Sequence, residues 1–192
     1  PLAGGVAGPE LAAAVAEAGG LGFLAAGYKT ADGVYQEIKR LRSLTDRPFG
    51  VNVFMPQPEY AESGAVEVYA HQLAGEAAWY ETELGDPDSG RDDGYDAKLA
   101  VLLDDPVPVV SFHFGVPSRE ALERLRRAGT FTLVTATTAE EAVAVGRALA
   151  DAVYAQGVEA GDHHGPPRGV RENVRHGPRQ LYLVTHNRSG VC

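Results

Sequence analysis

The sequence predicts an α/β fold built on a parallel sheet, and two observations support this prediction. Five short apolar runs, rich in β-branched or aromatic residues, recur with glycine or polar residues behind them. Their hydrophobicity is continuous rather than alternating, which is typical of strands covered on both faces. Helix-like segments separate the runs, and this alternation favours either an open doubly wound sheet or a TIM barrel. Periodicity alone does not separate these two architectures.

Each strand is predicted from its apolar run. The runs are "LGFLAAG", "FGVNVF", "VPVVSFHFG", "FTLVTATT" and "DAVYAQG", and they predict strands that begin near residues 21, 49, 107, 131 and 152. All but one of the intervals between them fit a single strand-helix unit. The chain opens at Pro1, without an initiator methionine, inside what the pattern indicates is a further strand ending at "AGG". We therefore expect residues upstream of this sequence.

The intervening helices are predicted from their end signals and apolar stripes. Pro9 opens "GPELAAAVAEAGG", and Gly19 and Gly20 close it, which are the favoured positions of both residue types. Another helix begins with Thr138 and Glu141 at the spacing of a capping box. The second helix carries one apolar stripe that would lie on the sheet, formed by Val34, Ile38 and Leu41.

One interval is too long for a single strand-helix unit. Between the strands near 49 and 107, residues 56–105 form an insertion with room for two helices, "EVYAHQLAGEAAWYETEL" and "YDAKLAVLLDD". An acidic, glycine-containing loop, "GDPDSGRDD", separates them. We expect the insertion to lie beside the strand ends, where active sites of such folds are found.

The composition changes behind His163. Residues 164–192 hold five arginines, no lysine and a single acid, a local charge of +4, whereas residues 1–163 carry −13. A segment rich in Arg, Gly and Pro is typical of chains that do not order by themselves, and only "LYLVT" from Leu181 indicates a strand. Three interpretations stay open: a solvated basic tail, a shifted reading frame beyond about His164, and a functional basic arm.

The net charge of −9 disfavours nucleic acid and anionic membranes as partners, since an acidic surface is repelled by both. No apolar run approaches the roughly 20 residues that cross a bilayer, and no leader pattern opens the chain. We therefore expect a soluble cytoplasmic protein. Its one cysteine, Cys192, has no internal disulfide partner, and the histidines lack Asp, Glu or Cys at ligand spacing, so no metal site is predicted.

Polar residues and glycines at the carboxyl ends of strands are candidates for chemistry, because ligands of α/β folds bind there. Asn52 and Gln156 each offer a carboxamide to the edge of a heterocycle. Gly4 and Gly5, behind Ala3, leave the backbone open to a flat ring or a phosphate. Each of these residues has an ordinary alternative as a turn or as a strand residue satisfied by the backbone.

Two histidines are the stronger candidates. His113 lies in the strand from Val107, and His163 follows the strand from Asp151, so both are predicted at the same edge of the sheet with converging rings. Histidine suits proton abstraction near neutral pH because its unperturbed pKa is about 6.5. The alternative for each is a core histidine whose ring nitrogens are satisfied.

Taken together, these segments resemble the nitronate monooxygenases, also called 2-nitropropane dioxygenases. The resemblance is carried, in family order, by "PLAGG", "GPELAAAVAEAGGLGFLAAGYKT", "FGVNVF", "VVSFHFG", "GTFTLVTATTAEEA" and "AQGVEAGDHHG", and it extends from residue 1 to about 165. It implies a TIM barrel that binds FMN at the carboxyl ends of its strands and oxidises alkyl nitronates, or nitroalkanes, with O2. Here the barrel is incomplete: about six of eight strands within residues 1–163, with the helical insertion between strands three and four.

The resemblance also implies roles for particular residues. His163 takes the place of the active-site histidine, as a base or as a stabiliser of the bound anion, and His113 resembles a second pocket histidine. The positions that resemble flavin contacts are Pro1, Leu2, Ala3, Asn52, Gln156 and Gly161. Two alternatives remain: a flavin-dependent enoyl-thioester reductase, and a non-catalytic fragment of such a barrel. The sequence leaves the oligomeric state open.

Overall fold

The structure is a computed structural model, and it describes residues 2–57, 63–86, 90–157 and 182–185. Strands and helices follow one another along these residues. The strands are β1 Gly22–Ala25, β2 Phe49–Phe54, β3 Val109–His113, β4 Phe131–Ala136, β5 Ala152–Ala155 and β6 Tyr182–Thr185. The helices are α1 Pro9–Glu17, α2 Ala31–Leu44, α3 Ser63–Trp79, α4 Tyr95–Asp104, α5 Arg119–Arg127 and α6 Ala139–Ala148.

The strands follow one another across a single sheet in chain order. Pairs from β1 to β5 are all parallel, and β6 pairs with β5 in the antiparallel direction. A doubly wound sheet reverses its strand order at a switch point, and no reversal occurs among the described strands. Parallel strands wound in chain order are the arrangement of a TIM barrel, so the predicted incomplete barrel is confirmed.

The hydrophobic core lies between one face of the sheet and the helices. Side chains on this face alternate with those on the other, and Val51, Val53, Val110 and Phe112 are fully buried against helical residues. The stripe predicted in α2 is confirmed, since its three residues are also fully buried. The opposite face carries half-buried residues such as Asn52, and it forms the inner side of the partial barrel.

The predicted helix ends are also confirmed. Pro9 stands in the first turn of α1, and Gly19 follows its end with a φ of 88°. At α6 the Thr138 hydroxyl accepts the backbone N–H of Glu141 at 3.1 Å, which is half of a capping box. The Glu141 carboxylate instead accepts the N–H and hydroxyl of Thr137, one residue before the cap.

Replacing Thr138 with alanine should lower the free energy of unfolding by about 1 kcal/mol, because it leaves an N–H of the first turn without its acceptor. Thr138→Ser keeps the hydroxyl and should stay within a few tenths of a kcal/mol of the parent. Urea titration followed by circular dichroism measures both variants. Equal losses in the two would contradict the capping role.

The two helices predicted in the insertion are present, but they have different places in the fold. Helix α4 packs against β2, α2 and α5, as a regular crossover helix does. Helix α3 is therefore the additional element, and it begins and ends earlier than the pattern predicted. Several of its large apolar residues face solvent, since Val68, Tyr69 and Trp79 are all mostly exposed.

The predictions for the two ends of the described chain have different outcomes. The strand expected to end at Ala3–Gly5 stays a prediction, because Pro1 lies outside the described residues; the chain behind it forms turns from Ala3 to Val6, with Gly4 and Gly5 at φ values of 87° and 104°. Positive φ at two successive glycines turns the chain out of the extended conformation. The strand predicted in "LYLVT" is confirmed as β6. The division of the chain at residue 163 stays a prediction.

Within the described ranges, no helix combines the length and the apolar character needed to cross a membrane. The cytoplasmic location stays a prediction.

Candidate active site

The carboxyl edge of the sheet brings together polar residues from β2 and β3. Asn52 is aligned with Ser111, and Phe54 is aligned with His113, in the parallel register of these strands. The Ser111 hydroxyl donates to Asn52 Oδ1 at 2.8 Å. The Asn52 side chain also carries an amide nitrogen, which is a hydrogen-bond donor. The pair is half-buried.

Ser111 is a site residue that the sequence analysis missed. It precedes His113 by two positions and so shares its face of the strand, a signal that the sequence contains. Its contact with Asn52 depends on the register of β2 against β3, across 59 positions of chain, which no local pattern reveals.

An aromatic cluster lies directly beyond this polar pair. The Phe54 ring meets Tyr28 and Phe114 in edge-to-face contacts, with centroids 5.6 Å and 4.8 Å away. The His113 ring joins the cluster, with its centroid 4.2 Å from that of Phe114 and 6.4 Å from that of Phe54. As the last residue of β3, His113 is at the carboxyl edge, where the sequence placed it. Its ring is held by apolar neighbours on the rim of the inner face.

Gln57 ties together the loops that carry this cluster. Its side-chain amide donates to the Met55 carbonyl at 2.8 Å and to the Phe114 carbonyl at 3.4 Å. Its backbone N–H donates to the Arg91 carbonyl at 3.0 Å. The loops behind β2 and β3 and the turn before α4 are thereby fixed to one another.

Gln156 is placed at the same edge, on the far side of the described parallel strands. It follows β5 directly, is half-buried, and its backbone N–H donates to the Ala136 carbonyl at 2.9 Å, which extends the pairing with β4. Asn52 lies on β2, so two strands stand between these carboxamides. Strands are spaced about 4.8 Å apart, so the two residues are roughly 14 Å apart across a flat sheet.

Of the remaining predicted positions, two lie in the segment before α1, and three lie outside the described residues. Leu2 is 50% exposed, and its carbonyl accepts a long hydrogen bond of 3.4 Å from the Ala7 N–H. Ala3 is half-buried in the turn that follows. Pro1, Gly161 and His163 lie outside the described residues, so the convergence of His163 with His113 stays a prediction.

An ion pair joins the turn before α4 to α4 itself, and its carboxylate also contacts the loop that carries Tyr28. Among the described residues, no cluster of three or more His, Cys, Asp or Glu side chains has the arrangement of a metal site. Asp93 Oδ2 and Lys98 Nζ lie 2.7 Å apart. Burial, together with the neighbouring Asp96 carboxylate, raises the pKa of Tyr95 above its usual value.

The winding of the parallel strands in chain order defines an incomplete TIM barrel. A family model described as nitronate monooxygenase matches residues 1–183. The chain belongs to the nitronate monooxygenase family.

Known proteins of this family are similar to the chain over most of its length. The chain is 42% identical over 171 residues to a nitronate monooxygenase of Paraburkholderia phytofirmans, and 39% identical over 180 residues to one of Pseudomonas aeruginosa. These matches cover 86% of the chain in both cases, but 46% and 49% of the relatives. The chain thus spans slightly less than half of either relative.

Solved structures agree with this assignment. A nitroalkane oxidase from Streptomyces ansochromogenes is 84% identical, with a TM-score of 0.83 over 86% of the chain and 47% of that structure. FabK from Thermotoga maritima is 30% identical, with a TM-score of 0.54 over 78% of the chain and 37% of its own. The nitroalkane oxidase is therefore much the more similar of the two.

Proposed function

We propose that the chain is part of an FMN-dependent enzyme that oxidises alkyl nitronates, or nitroalkanes, with molecular oxygen. The observation that carries the proposal is the 84% identity to a nitroalkane oxidase over 86% of the chain. Membership of the nitronate monooxygenase family supports the same reaction class. Because the chain covers about half of its relatives, activity, substrate and cofactor are proposals for the whole protein.

The donor set at the carboxyl edge fits a flavin. Asn52 and Gln156 are separated by two strands, so a small nitronate cannot contact both, whereas an extended ligand with several polar groups can. We propose Pro1, Leu2, Ala3, Asn52, Gln156 and Gly161 as the residues that hold it. When bound, FMN supplies the electron transfers and the reaction with oxygen. The chain's own residues bind and orient cofactor and substrate.

The histidines are proposed to act on the substrate. A nitronate is already anionic, so His163 in its protonated form stabilises the negative oxygens of the nitro group. With a neutral nitroalkane, the imidazole of His163 accepts the proton from the carbon next to the nitro group, and the electron pair of the broken C–H bond moves onto that group. His113, packed against Phe54 and Phe114, contributes a polar edge to an otherwise apolar rim.

Two assays separate this proposal from its alternatives. Protein supplied with FMN and ethyl nitronate under air should consume oxygen, while NADH with an enoyl thioester should give no oxidation of NADH. The reverse result would favour the enoyl-thioester reductase. A binding-competent chain should also gain melting temperature as FMN is added, because a ligand that binds only the folded state stabilises it. No thermal shift and no oxygen uptake would favour the non-catalytic fragment.

Asn52→Ala should raise the Kd for FMN roughly tenfold or more, because it removes a hydrogen-bonding group and leaves the Ser111 hydroxyl without its acceptor. Titration of FMN fluorescence against protein measures the change. Gln36→Ala on α2, an exposed carboxamide that contacts only Asp32 among the described hydrogen bonds, is the matched control and should leave Kd unchanged. Equal affinity in all three proteins would refute the role of Asn52.

A further inference from the structure

Three residues at the carboxyl edge hold a backbone conformation that L-residues rarely adopt. Tyr28, Asp93 and Phe114 have φ values of 63°, 48° and 71°, in the left-handed region. Such conformations are strained, and they persist where surrounding contacts impose them. The three are connected, since Phe54 contacts the rings of Tyr28 and Phe114, and Tyr28 is hydrogen-bonded to Asp93. We therefore examined which contacts of Tyr28 hold its backbone in this conformation at the carboxyl edge.

Asp93 fixes the backbone of Tyr28. Its Oδ1 atom accepts the Tyr28 N–H at 2.9 Å, across 65 positions of sequence. Asp93 lies in the turn between α3 and α4, where Gly90 and Gly94 also have positive φ. This turn belongs to the segment that precedes the crossover helix, so the bond joins that segment to the loop behind β1.

Lys98 of α4 supplies the countercharge to Asp93. Its Nζ atom lies 2.7 Å from Asp93 Oδ2, an ion pair whose geometry falls outside that of a hydrogen bond. The Lys98 side chain is 0% exposed, and that of Asp93 is 13% exposed. A buried ammonium group needs a paired anion, because it has lost its hydration. The pair thus fixes the carboxylate, with one oxygen toward Lys98 and the other toward the Tyr28 N–H.

The ring of Tyr28 presents a large surface at the mouth of the site. It is 66% exposed, and it meets Phe54 edge-on at an interplanar angle of 79°. Phe54 in turn lies against the backbone of Gly27, where a Cβ atom would be 2.3 Å from the ring. A fixed aromatic ring offers apolar contact area to a ligand at a low entropic cost.

We propose that Tyr28 determines which nitro compounds are accepted, by contacting their apolar chain, and that Asp93 and Lys98 are positioning residues that hold Tyr28 there. This inference rests on the proposed function. Nitroalkanes and nitronates combine a polar nitro group with an apolar chain, and the site combines the polar Asn52 and His113 with an aromatic rim. In a nitro compound with a short alkyl chain, the alkyl carbons stay near the polar residues, whereas a longer alkyl chain reaches Tyr28.

Hydrogen–deuterium exchange tests the positioning role without any need for activity. In Asp93→Ala, the amide of Tyr28, followed by mass spectrometry in a peptide covering residues 26–30, should exchange about tenfold faster or more. Asp93→Asn keeps Oδ1 as an acceptor but leaves the buried Lys98 ammonium group without its anion, so it should retain only part of the protection. Lys98→Met leaves a buried carboxylate without its partner and should lose protection. The double variant Asp93→Asn with Lys98→Met removes both charges and should regain it.

Kinetics with nitronates of different length test the selectivity. Tyr28→Ala should raise KM for hexyl nitronate about tenfold and leave KM for ethyl nitronate within about twofold, with similar kcat for both. Tyr28→Phe keeps the ring and should resemble the parent. Tyr69→Ala, an exposed tyrosine on α3, is the matched control and should change neither value.

The exchange measurement and the kinetic measurement test different parts of the proposal, so each part can be refuted on its own. If the amide of Tyr28 exchanges equally in the parent and in Asp93→Ala, the positioning role is overturned. If oxygen uptake is present but the ratio of KM values is the same in Tyr28→Ala, the selectivity role is overturned while the proposed function stands. Absence of turnover with every nitronate would refute the proposed function, and the selectivity with it, while the exchange data would still decide the role of Asp93.

Discussion

Phe112→Ala is expected to lower the free energy of unfolding by about 3–5 kcal/mol, the usual cost of removing a buried aromatic ring and leaving a cavity. Phe112 is 0% exposed and lies in the middle strand of the five parallel ones, packed toward the helices. Domains are stable by about 5–15 kcal/mol, so this single change removes a large part of the total. Urea titration should show a lower midpoint with an unchanged slope.

Phe131→Ala on the neighbouring strand is the matched control. Phe131 begins β4, is aligned with Val109 of β3, and is 43% exposed on the inner face of the sheet. Its truncation should cost about 1 kcal/mol, because much of the ring is already in contact with water. A loss as large as that of Phe112→Ala would mean that the inner face is also a packed core, and it would contradict the one-sided core described above.

The sequence predicted those parts of the fold that depend on local patterns. Four of the five predicted strand starts fall within one residue of the observed ones, and the fifth, near 107, falls two residues early. Pro9 marks the start of α1 because its ring is preorganised for a first helical turn. The stripe of α2 lies on the sheet because its spacing matches the helical period.

The parts that were missed depend on contacts between distant segments. Helix α4 places Lys98 among the buried residues Tyr95, Leu99 and Leu102, at the position of an apolar stripe. A lysine in a helix is ordinarily solvated, and here the carboxylate of Asp93, which lies in a left-handed turn, offsets the cost of burying the Lys98 charge. The pairing of β6 with β5 in the antiparallel direction is likewise invisible in "LYLVT", because a short apolar run does not encode its partner.

The residues of the candidate site also fall into two groups: those that local patterns predict and those that depend on contacts between distant segments. Asn52 and His113 were located from their strands, because parallel strands all end at one edge of the sheet. Tyr28 and Phe54 were missed because their contact joins the loop behind β1 to the end of β2, and both residues also suit ordinary roles in a strand or turn. Residues that act through a distant partner, such as Asp93, carry no local signal at all.

His163→Asn should have the largest effect on activity in the proposed enzyme, and the effect should depend on the protonation of the substrate. With neutral nitroethane, kcat/KM should fall roughly 10²–10⁴-fold, the usual contribution of a general base, because asparagine cannot accept the proton from carbon. With ethyl nitronate, prepared in base and assayed at once, the proton is already gone. The loss should then be limited to the weaker stabilisation of the anion, about tenfold.

Oxygen uptake is measured with nitroethane and with ethyl nitronate at equal concentrations, which gives the loss of rate for each substrate. The control variant is His71→Asn on α3. His71 is exposed and distant in sequence from the carboxyl-edge residues, so its replacement should leave both rates unchanged. FMN affinity, measured by fluorescence titration, must be the same in all three proteins for the comparison to report on catalysis. Equal losses with nitroethane and with its nitronate would show that His163 is not the base, because removal of a base cannot slow a substrate that has no proton to give.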